Sequence, residues 1–323
     1  MFRYIIKRII FSLLTIWLLV TLTFLLMHLM PGDPFISTKA VDPAVREMMF
    51  KKYGLDKPLI VQYFIYMGKM LRGDLGVSLH YKGAQVVDRV FDAFPYSFEL
   101  GLRSLIIGIA LGLILGIVAA KRNGKISDGL IMGVAVIGIS VPSFIMAALL
   151  NYGVGLKFGN FLKDIFGLSR NPIPISGWNS EASKWLPAIA LSFGTLASIA
   201  RLMRASTMDV LNADYIKTAK AKGLSEGQIT RHHMMRNAIL PIITILGPAA
   251  ASILTGAFVV ESVFAIAGMG KFFVLSIQVL DYPMIIGTTV IYGVLLIVMN
   301  TLVDIVYGIV DPRIRLERKG ISG

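Results

Sequence analysis

The nearest approach to a phosphate-binding loop in this 323-residue chain is Gly268-Met269-Gly270-Lys271. Such a loop needs a further glycine five residues before the second one, so that backbone amides can wrap the phosphates, and a Ser or Thr after the lysine for magnesium. Ala265 and Phe272 stand at those positions. His232 and His233 are adjacent, and neighbours on a helix point about 100° apart, which does not suit one metal ion. There is no His-Glu-x-x-His stretch and no cysteine, so thiolate metal sites, disulfides and cysteine nucleophiles are excluded. Asp304 is a lone acid near the end of an apolar run, a place where packing or interfacial roles outnumber proton relays. The residues give no hydrolytic constellation, no metal set and no energy source. No cofactor is expected on this chain.

The elements that would carry chemistry are themselves unusual. Hydrophobic residues make up 55% of the chain and charged ones only 16%, with mean hydropathy +0.73. Soluble domains carry about 25% charged residues. Six stretches lack any charge: 9–30, 104–120, 129–156, 185–200, 237–260 and 282–303. A bilayer core about 30 Å thick takes about 20 helical residues, so these read as six transmembrane helices of an all-α integral membrane protein. The fourth is short and is expected to continue past Arg201. The first follows Arg3, Lys7 and Arg8, but it is longer than a signal-peptide core and offers no small-x-small cleavage site, so an uncleaved anchor is expected.

The net charge of +13 is explained by topology. With the N terminus inside, seventeen Lys and Arg fall in inside segments and five in the two short outside ones. Basic residues near span ends favour the cytoplasmic side, which predicts N-in and C-in and leaves no case for nucleic acid. Four regions are expected: 1–30, a tail and first span; 31–98, an outer loop with short helices at 43–53 and 58–71; 99–310, a five-helix core; and 311–323, an inner tail. Gly108, Gly112 and Gly116 make a groove on the second span, better suited to internal packing than to a dimer contact. Pro142 bends the third span, either as a structural kink or beside a translocation path.

The inside loop 201–238 is built rather than frayed. Residues 209–222 suit a helix, Gly223 suits a left-handed stop, and Ser225 with Gln228 forms the capping-box pattern of a second helix. Small Ala219 and Ala221 beside a tight corner make a knob that a partner's groove could seat.

Several ordered motifs now align with a known family. They are Pro31-Gly32-Asp33-Pro34, Leu55-Asp56-x-Pro58 with Gln62-Tyr63, and Gly73-Asp74-Leu75-Gly76-x-Ser78. Ser140-x-Pro142, Val259-Val260-Glu261-x-Val263-Phe264, Gly268-Met269-Gly270, Asp281-Tyr282-Pro283 and Asp311-Pro312-Arg313-Ile314-Arg315 complete the set. Over nearly its whole length the chain resembles the permease subunit of the oligopeptide/dipeptide/nickel class of bacterial ABC importers, and within it the first membrane subunit of oligopeptide permeases. Gln85 departs from the usual proline. Lys217-Thr218-Ala219-Lys220-Ala221-Lys222-Gly223 corresponds to the family's Glu-Ala-Ala-x-x-x-Gly motif, with Lys217 and Thr218 replacing the Glu and the first Ala.

The resemblance implies a type I ABC importer permease fold in the bacterial cell membrane and a role in peptide import. It implies a second homologous permease, two ATP-binding subunits that carry ATP and Mg, and an extracellular or periplasmic peptide-binding protein. Ala219, Gly223 and Leu224 become the expected ATPase-coupling contacts, with Lys220 and Lys222 in support. Ser140, Pro142, Ser143 and Ser198 are path candidates by their polarity within spans. The alternatives are dipeptide, nickel or other solute import, a passive channel, and an ion-coupled transporter, which would need more intramembrane acids or an inverted repeat.

Overall fold

A computed structural model describes residues 2–32, 35, 43–81 and 83–310. Asp33-Pro34, the segment 311–323 with its Asp311-Pro312 motif, and the side chain of Asp304 lie outside the described set. The chain begins with α1 (Phe2–Leu29), α2 (Pro43–Tyr53), α3 (Leu59–Met70), α4 (Val86–Lys121) and α5 (Ile126–Ser140). After the break at Pro142 come α6 (Ser143–Leu150), a π-helical stretch (Asn151–Phe158) and α7 (Gly159–Ile165), then α8 (Glu181–Leu211) and α9 (Asp214–Ala221). A turn of α10 (Glu226–Gln228), a second π-helical stretch (Ile229–Met234) and α11 (Met235–Ala238) lead to α12 (Leu240–Gly256). α13 (Phe258–Val263), α14 (Met269–Gln278) and α15 (Tyr282–Val310) complete the order. Among the described residues the only β pairing is an isolated bridge between Val77 and Gln85.

Among the described residues, five stretches are each long and apolar enough to cross a membrane: Ile9–Leu29, Val86–Lys121, Ser143–Ile165, Glu181–Leu211 and Tyr282–Leu302. α5 and α12 are apolar but shorter. The run expected as one bent span at 129–156 is two helices. Val141 and Pro142 adopt extended ψ values of 121° and 141°, so α5 stops at Ser140 and α6 starts at Ser143. The proline ring disfavours helical geometry in the residue before it, which turns the expected kink into a break. α8 does continue past Arg201, as far as Leu211.

The chain divides into two compact units, Met1–Ser97 with Ala267–Ile297, and Phe98–Ile266 with Val298–Gly323. In the second unit α8 is the central helix, with α5, α6 and α12 packed on it. α4 joins it through the glycine groove. A Cβ added at Gly108, Gly112 or Gly116 would lie 3.2 Å from Thr195, 2.8 Å from Ile199 or 2.6 Å from Met203. The groove is therefore filled by α8 of the same chain.

In the first unit α3 lies against α1. Tyr63, Tyr66, Met67 and Met70 pack on buried Val20, Phe24 and Ile286. Tyr63 and Thr21 share a hydroxyl hydrogen bond of 2.8 Å, and the His28 ring sits between the Phe24 carbonyl (2.8 Å) and Gln62 Oε1 (3.1 Å). Asp281, fully buried just before α15, accepts from Ser78 Oγ, from the Leu79 and His80 amides at 3.1 and 3.3 Å, and from the Met284 amide at 3.3 Å. One carboxylate thus caps a helix and pins a loop two hundred residues away in sequence. Burial raises the pKa of the Tyr66 phenol well above its usual value, so it stays a protonated donor.

Candidate functional site: a braced helical hairpin and a cavity at a helix break

The hairpin between α8 and α12 is assembled from local signals. α8 ends at Leu211 and a new helix starts at Asp214, later than the expected 209, because Ala213 takes an extended conformation. Asp214 then receives Lys217 Nζ at 2.8 Å in the first turn of α9. The helix closes with Gly223 N donating to the Lys220 carbonyl (3.0 Å) and Leu224 N to the Ala219 carbonyl (3.3 Å). Those two bonds, with Gly223 at φ +76°, are the Schellman stop. Ser225 and Gln228 satisfy each other's backbone amides at once, as the capping box requires.

The five residues expected to contact a partner do not all face outward. Ala219 is 4% exposed and forms a small core with Ile216 and Ile229, flanked by Leu224. Its side chain has to be small so that the two arms can close. Lys220, Lys222 and Gly223 are exposed, and a Cβ on Gly223 would meet nothing within 4 Å. Lys220 lies 3.9 Å from Glu226 across the corner, an exposed pair of little energetic weight. The hairpin therefore presents a tight, lysine-bearing corner whose spacing is fixed from beneath by Ala219.

The hairpin is tied to the apolar helices and its own arms are tied to each other. Ala238 and Ile242 bury against Ile199 and Met203 of α8. Asn237 Nδ2 donates to Tyr215 OH at 3.0 Å, joining α11 to α9. Lys121 Nζ at the end of α4 donates to Thr230 Oγ1 at 2.7 Å. Arg204 donates to both oxygens of Asp128 and to Asn123 Oδ1 (2.9 Å), which fastens the α4–α5 turn to α8 about three turns before α9 begins. Sequence reasoning missed Asp128 and Arg204. The one visible sign was an acid, Asp128, bordering a charge-free run, but nothing in the spacing joins positions 76 residues apart.

At the other end of α5, Pro142, Ser143 and Ser198 line an open cavity of about 410 Å³ together with Phe193, Gly194 and Thr195. Ser140 is exposed and is not among its lining residues. The break leaves carbonyls of the last turn of α5 and amides of the first turn of α6 without helical partners. Non-helical backbone within an apolar helix pair is tolerated where it borders a cavity. Thr195 went unnoticed in the sequence because a single Thr in an apolar run carries no pattern. Toward the α8 N-terminus, Glu99 accepts from Arg103 (2.7 Å), Trp178 Nε1 (3.0 Å) and Lys184 (3.0 Å), while Glu181 accepts from Arg103 and Lys184. This network clamps α4 to α8.

Residues 112–316 match the model of the binding-protein-dependent transport system inner membrane component, and residues 1–101 match the model of its N-terminal region. The chain is 46% identical to the dipeptide transport system permease protein DppB of Bacillus subtilis (strain 168), covering 99% of this chain and 100% of that one. It is 39% identical to the oligopeptide transport system permease protein OppB of Haemophilus influenzae, covering 98% and 100%. A crystal structure of an amino acid ABC transporter with histidines aligns with TM-score 0.50 at 18% identity over 68% of this chain and 94% of that chain. That likeness concerns the fold alone.

Proposed function

The chain belongs to the binding-protein-dependent transport system inner membrane component family, and we propose that it is the permease subunit of an ATP-driven peptide importer. It is a multi-pass protein of the bacterial cell membrane and contributes the pore rather than the ATPase. The observation that carries the peptide reading is end-to-end likeness to dipeptide and oligopeptide permeases alike.

The mechanism follows from what the chain has and lacks. A pore alone cannot accumulate solute; only a difference in state driven by an energy source can. We assign that source to two ATP-binding subunits, with their ATP and Mg, docked on the corner formed by Lys220, Lys222, Gly223 and Leu224 and spaced by Ala219. Six crossings with both termini inside would put that corner on the cytoplasmic face. Movement of the corner would reach α8 and the α4–α5 turn through Arg204, Asp128 and the Lys121–Thr230 bond. Pro142, Ser143 and Ser198 would border the path, where unpaired backbone groups of α5 and α6 can take peptide amides and carbonyls in passing. A second permease chain completes the pore, and a peptide-binding protein outside delivers the substrate.

The identity of 46% to a dipeptide permease, against 39% to an oligopeptide one, favours short peptides over the longer ones that the sequence motifs suggest. The test is uptake of labelled dipeptide and pentapeptide in cells lacking this chain, with and without its return. Uptake of the dipeptide that needs the chain and stops on ATP depletion is the expected result. Preference for the pentapeptide would restore the oligopeptide reading. Dependence on an ion gradient instead of ATP would overturn the coupling scheme.

A further inference from the structure

α3 carries an exposed apolar face that a water-facing loop helix has no use for. At 100° per residue, Ile60, Phe64 and Leu71 fall within about 40° of one another, Val61 and Ile65 widen the apolar face to about 140°, and Lys69 follows about 40° beyond Ile65. Ile60 is 71% exposed, Phe64 67% and Leu71 81%, while the opposite side of the helix is packed on α1. α1 itself exposes Leu18, Leu22, Leu25 and Leu29 within its membrane-length run. Two neighbouring helices of one unit thus both present apolar surface.

Beside this face is a cavity of about 660 Å³. Ile65 belongs to both the cavity wall and the exposed apolar face. Lys51, Lys52, Lys57 and Lys69 line it, against one carboxylate, Asp74. Lys51 is paired with Glu47 at 2.8 Å, and Asp74 accepts the Gly76 amide at 2.8 Å within its own turn. No ion pair involves Lys52, Lys57 or Lys69 among the described residues. The Tyr66 hydroxyl, on the same wall, is buried without a hydrogen-bond partner among the described residues.

The geometry points to a binding site for an anionic phospholipid: its phosphate among Lys52, Lys57 and Lys69, its acyl chains along Ile60, Phe64, Ile65 and Leu71. Lysines on the rim of an apolar helix face are the pattern by which interfacial helices hold anionic lipid. A lipid covers charge and apolar surface together. An acidic loop from a soluble partner would match the lysines and leave the apolar row bare. This inference requires only that the chain sits in a membrane, so it stands independently of the peptide reading.

The test uses the full-length chain in its transporter, placed in phosphatidylcholine nanodiscs that contain a small share of phosphatidylglycerol, with retained lipid read by native mass spectrometry. Phosphatidylglycerol is expected to be retained in preference to phosphatidylcholine, and Lys57→Gln/Lys69→Gln to cut that preference roughly tenfold. Both lysines are exposed, so the fold survives the change. Phe64→Gln should weaken retention of both lipids, and Lys163→Gln should alter neither. Equal retention of the two lipids by the wild type, or no effect of the double change, overturns the site. Displacement of the lipid by inorganic phosphate would identify a free anion as the ligand and overturn the lipid assignment.

Discussion

Arg204 holds Asp128 by two parallel hydrogen bonds, Nε to Oδ1 at 2.6 Å and Nη2 to Oδ2 at 2.7 Å, across 76 residues of sequence. Asp128 is only 5% exposed and also accepts the Gly124 amide at 3.1 Å. A planar guanidinium matches a carboxylate at two points, which an ammonium cannot do. Arg204→Lys is therefore expected to lower the apparent melting temperature of the detergent-solubilised protein by on the order of 5 °C. In the assembled transporter the same change should leave ATP hydrolysis running while uptake falls. Unchanged melting and unchanged uptake would show that the clasp carries nothing.

Gly223 tests the corner itself. Its φ of +76° costs about 1–2 kcal/mol for a residue with a side chain, although the space around it is open. Gly223→Asn, which tolerates the left-handed region, should keep most uptake. Gly223→Val should remove most of it while the complex still assembles, as judged by co-purification of the ATP-binding subunits. Normal uptake with Gly223→Val would withdraw the corner as the coupling surface.

The glycine groove makes a contrast within one protein. A Cβ at Gly116 would sit 2.6 Å from the Met203 side chain and 2.7 Å from the Ala200 carbonyl, whereas one at Gly133 would meet nothing within 4 Å. Gly116→Ala should therefore destabilise by about 1–3 kcal/mol through overpacking. Gly133→Ala should be neutral or mildly stabilising, because alanine is the better helix former. Thermal unfolding of the two variants in the same detergent decides it, and equal melting would refute the close approach of α4 and α8.

Asp281 is the buried pin of the other unit. Asp281→Ala would leave the Ser78 hydroxyl and the Leu79 and His80 amides without an acceptor, a loss of about 2–3 kcal/mol. Hydrogen exchange should then speed up at Leu79 and His80 and in the first turn of α15, with α8 unaffected. Protection unchanged at those amides would mean that the loop is held by something else.

The sequence by itself determined the class of the protein. Charge-free runs close to the length that a bilayer core demands read as helices, because unpaired backbone cannot sit in lipid and a helix pairs its own. It determined the stop at Gly223 and the start at Ser225, since both depend on residues within four positions of each other. It also showed that Gly268-Met269-Gly270-Lys271 is not a phosphate loop, because that loop is a local pattern and Ala265 and Phe272 break it.

Tertiary structure decided which distant residues meet. It put Gly108, Gly112 and Gly116 against α8 and turned Ala219 inward to set the hairpin's spacing. It gathered Pro142, Ser143 and Ser198 around one cavity and left Ser140 outside it. It joined Arg204 to Asp128 and Asp281 to Ser78. Each of these is a match of shape or charge between segments tens to hundreds of residues apart. Periodicity fixes which face of a helix is apolar but is silent on which other helix covers it.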